Sequence, residues 1–284
     1  MNCLLSELQR KRLEVVLVAP PNPLNIGAAA RAMANFGFSR LAVVAPYGEH
    51  WREARSAIGA PELLKNAKET GSLAEALADC TLVVGTGSLE RRKAEQPVVK
   101  LPELAPRVAR ELERGGRVAV VFGSEKHGLK REDLAYCHLL VEIPTDSWQP
   151  SMNLGQAVAV CLYEIAARTN AAEEDRGEAV PHRSRKNKDA ARVGHPRPTE
   201  TDGPATAREL ERLAGVVEET MRAANYSPAA MQRANRHDLR LLLRRLALTG
   251  RDARRILGLF RRILWRVQHD AKGARDEPLD ITRK

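Results

Sequence analysis

From Leu13 to about Ala167, short apolar runs alternate with stretches of helical periodicity. Glu14–Val18, Arg40–Ala45, Thr81–Gly85, Arg117–Phe122 and His138–Ile143 read as strands. Ile26–Phe36, Glu62–Asn66, Leu73–Leu77, Leu104–Arg114 and Leu154–Arg168 read as the helices between them. Strands alternating with helices predict a mostly parallel sheet covered on both faces. The expected fold class is α/β.

Beyond Arg168 the pattern breaks. Asn170–Ala205 is rich in Glu, Asp, Arg, Lys, Pro and Gly, with Val180 and Val193 as its only large aliphatics. Such a segment buries too little apolar surface to offset the entropy of ordering, and a flexible linker is expected. Helical spacing then resumes at Leu210, Leu213, Val217, Met221 and Ala224. It continues at Leu239, Leu242, Leu243 and Leu246, and again at Ile256, Phe260, Ile263 and Val267. Three short amphipathic helices are predicted, packed as a small bundle. The expected organisation is a body over 1–168, a linker over 169–205, a helical extension over 206–270 and a disordered tail over 271–284.

Composition narrows the class of protein. Of 284 residues, 43% are apolar and 29% charged, enough for a packed core and unlike a collagen, a disulfide scaffold or a wholly disordered chain. The longest apolar runs, Val15–Pro21 and Val118–Phe122, fall far short of the roughly 18 to 20 residues of a membrane span. Glu7, Arg10, Lys11, Arg12 and Glu14 make the N-terminus unlike a signal peptide. Cys3, Cys80, Cys137 and Cys161 are widely spaced, with no C-x-x-C pair. That fits thiols kept as small core residues in a reducing cytoplasm, and no metal site.

The net charge of +10 is uneven. Residues 1–168 carry 21 basic against 19 acidic side chains, residues 169–205 carry 7 of each, and residues 206–284 carry 18 against 10. A basic module beside a near-neutral body points to a polyanionic partner, nucleic acid or an anionic membrane surface, or else to a solvated arginine-rich face.

Common nucleotide fingerprints fail. Gly85-Thr86-Gly87 follows a strand, but Glu90 stands at the third glycine slot of G-x-G-x-x-G, and no G-K-[ST] loop occurs. Three other stretches stand out. In Asn25-Ile26-Gly27-Ala28-Ala29-Ala30-Arg31, after a Pro20-Pro21-Asn22-Pro23 turn, Asn25 suits a helix N-cap. Arg31 lies about 140° from the Ile26, Ala30 and Met33 stripe, pointing either to a polar cleft or to plain solvent. In Phe122-Gly123-Ser124-Glu125-Lys126-His127-Gly128-Leu129 a strand enters a glycine-bracketed loop, at the sheet end where α/β folds bind ligands. Glu125 there is a functional carboxylate or a turn residue, and His127 has no second histidine or cysteine nearby in sequence to make a metal site. In Ile143-Pro144 through Pro150-Ser151-Met152-Asn153-Leu154, a loop leads into a helix. A simple N-cap there explains Ser151 or Asn153, but not both.

Taken in order, N-x-G-x-x-x-R, F-G-x-E-x-x-G-L and I-P…S-[LM]-N-L-x-x-A-V resemble the three motifs of the SPOUT superfamily of RNA methyltransferases, in its TrmH-like 2′-O-methylating branch. The resemblance spans roughly residues 13–168. More loosely, Leu210-Glu211-Arg212-Leu213 and Leu242-Leu243-Arg244-Arg245-Leu246 resemble the helical extension of the TrmJ subgroup, whose members methylate the ribose at position 32 of the tRNA anticodon loop. The resemblance implies a deep C-terminal trefoil knot that binds S-adenosylmethionine, with Thr86, Gly87, Ser88, Gly123, Ile143, Pro150, Ser151 and Met152 on the cofactor. It implies Asn25, Arg31, Glu125, Ser151 and Asn153 as functional residues, in a homodimer whose site lies at the subunit interface. Glu125 is expected to fix its loop through backbone amides. A tRNA partner gives a use to Arg31 and to Arg240, Arg244, Arg245, Arg254 and Arg255 of the tail as phosphate contacts; neither a membrane nor a metal is expected. Two departures are Ser124, where the family often has arginine, and Met152 for a frequent leucine.

Overall fold

A computed structural model of the chain describes residues 5–48, 50–87, 94–168 and 203–276. Seven parallel strands form one sheet: β1 (Leu13–Val18), β2 (Arg40–Val44), β3 (Lys68–Thr70), β4 (Leu82–Thr86), β5 (Val98–Lys100), β6 (Val118–Phe122) and β7 (Leu139–Glu142). Their spatial order is β3-β2-β1-β6-β4-β7-β5. In the central register Val15 lies opposite Leu41 on one side and Val120 on the other.

Successive strand side chains point to opposite faces, and here both faces are buried. Val15, Leu17, Val43, Val120, Phe122 and Val141 enter one core. Val16, Ala42, Val44, Val83, Val121 and Leu140 enter the other. The first core is covered by α2 (Pro23–Asn35), α5 (Leu101–Glu113) and α7 (Leu154–Arg168), after the single-turn α1 (Glu7–Arg10), with Leu64 of α3 (Pro61–Lys65) at its edge. The second is covered by α4 (Leu73–Ala76), Leu129 and Cys137, with α6 (Arg131–Leu134) alongside.

The start of α2 differs from expectation. Asn22, not Asn25, is the N-cap: its side chain accepts from Leu24 N at 3.0 Å, and Pro23 follows at the first helical position, where a missing N–H costs nothing. Asn25 is thereby released into the helix. The far end closes with Gly37 at φ +74, and with Phe38 N bonded to Met33 O at 2.9 Å, a Schellman motif. Edge strands β3 and β5 are additions to the five expected strands. Each has three residues, too few to carry a readable alternation.

A separate helical unit follows: α8 (Ala207–Ala223), α9 (Gln232–Arg245) and α10 (Gly250–Asp276). Leu210, Leu213, Val217 and Leu243 form its core, with Phe260 packed against them. Two boundaries move. Pro204 pairs with Thr249 and Ala205 is buried, so residues 203–205 belong to this unit rather than to the linker; residues 169–202 lie outside the described residues. The third helix is not short: it runs 27 residues, past the expected end at 270, and residues 277–284 lie outside the described residues.

The unit docks on the body. Ala207 N donates to Cys80 O at 2.8 Å and Arg208 N to Ala78 O at 3.0 Å, while the Ala207 methyl completes the second core. No described helix is long and apolar enough to cross a membrane.

Candidate active site

At the carboxyl ends of β4, β6 and β7 lies a cleft of about 250 Å³, just below the roughly 300 to 1,000 Å³ usual for small-molecule sites. Thr86 and Gly87 leave β4, Gly123 leaves β6, Ile143 leaves β7, and Pro150, Ser151 and Met152 precede α7; all seven line it. Ser88 lies outside the described residues.

Local chemistry shapes this cleft. After β6 the chain folds back on itself: Gly128 N donates to Ser124 O at 2.7 Å, and Gly128 sits at φ +63. A Cβ on Gly123 would lie 2.0 Å from the Gly128 carbonyl carbon, so only glycine permits the loop to close there. On Gly87 a Cβ would meet nothing within 4 Å among the described residues, which leave open space beside the β4 end. The loop before α7 is held by Thr145 Oγ1 donating to Pro150 O at 3.2 Å, and by Asp146, whose carboxylate accepts from Trp148 N at 2.9 Å.

At the cleft, side chains from three distant stretches form one relay. Asn153 caps α7, its Oδ1 accepting from Gly155 N at 2.9 Å and Gln156 N at 3.4 Å. Its Nδ2 donates to Asn25 Oδ1 at 2.9 Å, and Asn25 Nδ2 donates in turn to Glu125 Oε1. The other Glu125 oxygen is buried with no partner among the described residues. Glu125 is therefore held by an asparagine side chain, not by backbone amides as expected. Close packing brings the elements together: a Cβ on Gly155 would lie 2.6 Å from Ala28 Cβ, so α7 sits directly on α2.

The SpoU rRNA Methylase family model matches residues 12–163. The chain belongs to that family. It stands in the SpoU/TrmH-like part of the SPOUT superfamily. It is 42% identical over 155 residues to the Pseudomonas aeruginosa tRNA (cytidine/uridine/adenosine-2′-O-)-methyltransferase TrmJ, an alignment covering 54% of this chain and 60% of that one. Against the Escherichia coli O6:K15:H31 tRNA (cytidine/uridine-2′-O-)-methyltransferase TrmJ it is 32% identical over 268 residues, 94% of this chain and 99% of the relative. The crystal structure of TrmJ from Z. mobilis ZM4 superposes with a TM-score of 0.71 at 27% identity, over 88% of this chain and 98% of that one.

Within this SpoU-family framework, not every expected site residue lies in the cleft. Arg31 is exposed on α2 and is not among the residues lining its own chain's cleft. Asn25 and Asn153 meet the cleft through Glu125, which does line it. Lys126, His127, Leu129, Leu154 and Ala157 also line it and were not expected to. Leu129 and Leu154 were legible as motif positions, whereas Lys126 carried no signal of its own.

The tail arginines divide. Arg244 is almost wholly buried, donating to Tyr136 O at 2.8 Å and to Glu211 at 3.1 Å, and lies over the Tyr136 ring. Arg240 binds Glu211 at 2.8 and 3.0 Å, and Arg254 binds Glu209 at 2.7 Å. Of these three, all expected on RNA, Arg240 and Arg244 are drawn into the protein, while the ion-paired side chain of Arg254 stays half exposed. Arg245 and Arg255 are exposed. Beside Arg244, burial and the guanidinium charge push His138 down to about 3; its Nδ1 accepts from Val83 N at 3.1 Å, which suits a neutral ring. Burial pushes the Cys80, Cys137 and Cys161 thiols up to about 12, so none is a ready nucleophile; Cys3 lies outside the described residues. Among the described residues no group of three or more His, Cys, Asp or Glu could hold a metal.

Proposed function

We propose that this chain is a cytoplasmic tRNA methyltransferase that transfers the methyl of S-adenosylmethionine to a ribose 2′-oxygen, at position 32 of the anticodon loop. The Asn153–Asn25–Glu125 relay beside the β4–β6–β7 cleft carries this reading, because it joins all three motif stretches at one place. The names of the TrmJ relatives in Pseudomonas aeruginosa and Escherichia coli support the substrate class.

The cleft residues suit the cofactor. Phe122, Leu129, Ile143, Met152 and Leu154 give it an apolar lining for a purine ring, and Gly87 leaves room beside exposed backbone. The buried, unpartnered oxygen of Glu125 offers a polar group that the protein itself does not satisfy. Bound there, S-adenosylmethionine would supply an electrophilic methyl on a sulfonium. Thr86, Gly87, Ser88, Gly123, Ile143, Pro150, Ser151 and Met152 would hold it. A trefoil knot is part of the proposal: β7 lies beyond β4 in the sheet, yet the chain after it returns past the Gly123–Leu129 loop to place α7 on α2.

Arg31 then acts on the partner subunit's cleft. It projects from the α2 surface that also exposes Leu24, and Tyr163 of the adjoining α7 is half exposed, so an α2–α7 face is the proposed dimer contact. Removing a proton from a guanidinium at pH 7 costs at least roughly 7 kcal/mol, so a charged Arg31 is the useful form. It stabilises the developing alkoxide and grips a phosphate, while the 2′-hydroxyl proton leaves to water or to an RNA phosphate. Ser151 orients the hydroxyl, and the relay keeps Asn25 and Asn153 fixed.

The test is Arg31→Lys, which keeps the charge and loses the planar fork. Methylation of bulk tRNA should fall below about a tenth of the native rate with S-adenosylmethionine binding intact. Greater retention would remove Arg31 from the chemistry. Mapping of modified riboses by chemical cleavage would then test position 32 separately.

A further inference from the structure

A second and larger cleft, of about 850 Å³, opens beside the cofactor cleft, and we infer that it holds a phosphodiester segment of the substrate RNA. This rests on the methyltransferase reading of the neighbouring cleft. Lys126 and His127 line both cavities, so a strand lying in one reaches the other.

The walls come from separate parts of the molecule. Lys126 and Lys130 flank the end of the Gly123–Leu129 loop, Glu95 precedes β5, and His237 stands on α9 of the helical unit. The charge balance is positive. Lys126, Lys130 and Arg131 face one carboxylate, Glu95, which already holds Arg131 at 2.8 Å and His237 at 2.6 Å. Both lysines are exposed, and neither has a described carboxylate within 4 Å, although the charge of Lys130 reaches Glu132, which is itself ion-paired with Arg233.

Their situation is the reverse of Arg240, Arg244 and Arg254, of which the first two share Glu211 and the third holds Glu209. Cations with no acid of their own remain available to phosphate, and releasing their counterions favours a polyanion. Leu134 and Leu140 add an apolar lining suited to a sugar or base edge. Cleft volume decides between a lone phosphate and a strand: a single anion needs only a small part of it.

The inference also gives the helical unit a second way to serve RNA binding. Docking of α9 brings His237 to the wall and ties it to Glu95, so the cleft is complete only with the unit in place.

The experiment is tRNA binding to the full chain from about 50 to about 200 mM salt, comparing native protein with Lys126→Ala/Lys130→Ala. Each phosphate contact contributes about 0.7 to 0.9 to the slope of log affinity against log salt. Binding should weaken at every salt concentration, and the slope should shrink by about 1.4 to 1.8 in the double variant. Lys130→Ala alone should lose half of that change. Since Lys130 does not line the cofactor cleft, its S-adenosylmethionine affinity by calorimetry should match the native value. Both lysines are exposed, so folding is not at stake. Native affinity and slope in the double variant would overturn the second cleft alone. A native chain with no measurable tRNA affinity would instead overturn the proposed function on which it rests.

Discussion

Asn153 performs two tasks with one amide. Its oxygen serves the helix end, and its nitrogen serves Asn25. The polarity of the relay follows from the cap: the N–H groups of Gly155 and Gln156 need an acceptor, so Asn153 caps with its oxygen and donates its NH₂ to the Asn25 carbonyl. Asn25 is thereby left to present its own NH₂ to Glu125. Capping and positioning can therefore be separated. Asn153→Asp keeps the cap, because aspartate caps helices about as well as asparagine, but it sets an acceptor against an acceptor at Asn25. The melting temperature should stay within a few degrees of native while methylation falls roughly 10- to 100-fold, the scale of a misplaced reacting group. A rate that is unchanged, or that falls only in step with stability, would reduce Asn153 to a cap.

Elements were readable from sequence to the extent that they were long and had two faces. The five longer strands and the helices α2, α5 and α7 followed from alternation and 3–4 spacing. Strands β3 and β5 did not, because three residues at a sheet edge show only one buried position each. The start of α2 was misplaced by three residues although its signal was present: Asn22-Pro23 is an N-cap followed by a proline at the first helical position. The cleft could be listed residue by residue only through the family resemblance, since periodicity says nothing about which strand ends adjoin. Glycines at those ends give a test at this scale. Gly123→Ala places a methyl 2.0 Å from backbone, whereas Gly87→Ala places one in open space beside the cleft. We expect Gly123→Ala to lower the melting temperature and abolish cofactor binding together. Gly87→Ala should melt like the native chain yet bind S-adenosylmethionine more weakly, as measured by calorimetry. Equal cofactor affinity for Gly87→Ala and native protein would show that the cofactor does not approach the β4 end.

At the scale of the whole molecule, the charge excess of the tail was a misleading guide to its arginines. Net charge counts side chains without their partners, and in this chain Glu209, Glu211 and Glu218 are ion-paired with five of the tail's own arginines, Arg222, Arg236, Arg240, Arg244 and Arg254. Arg244 goes further and crosses to the body, binding Tyr136 O with its side chain almost wholly buried. Burial lowers the Arg244 pKa against the opposing pull of Glu211, the sign expected where desolvation is the larger effect. Such a residue stabilises the docked state chiefly because its removal strands polar partners. Arg244→Ala should thus cost about 3 kcal/mol, leaving Tyr136 O and one side of Glu211 unsatisfied. The loss should appear first as faster amide exchange over residues 205–245, where α8 and α9 meet the body, while the exchange of β1 and β6 stays near native. tRNA affinity should fall with it, because the docked α9 supplies His237 to the second cleft. Arg245→Ala, at an exposed neighbour, is the control: it should leave exchange unchanged. Native exchange in Arg244→Ala would mean that the Ala207 and Arg208 backbone bonds to Cys80 and Ala78 suffice to hold the unit. The arginine would then be an internal strut of α9, with no part in assembling the RNA surface.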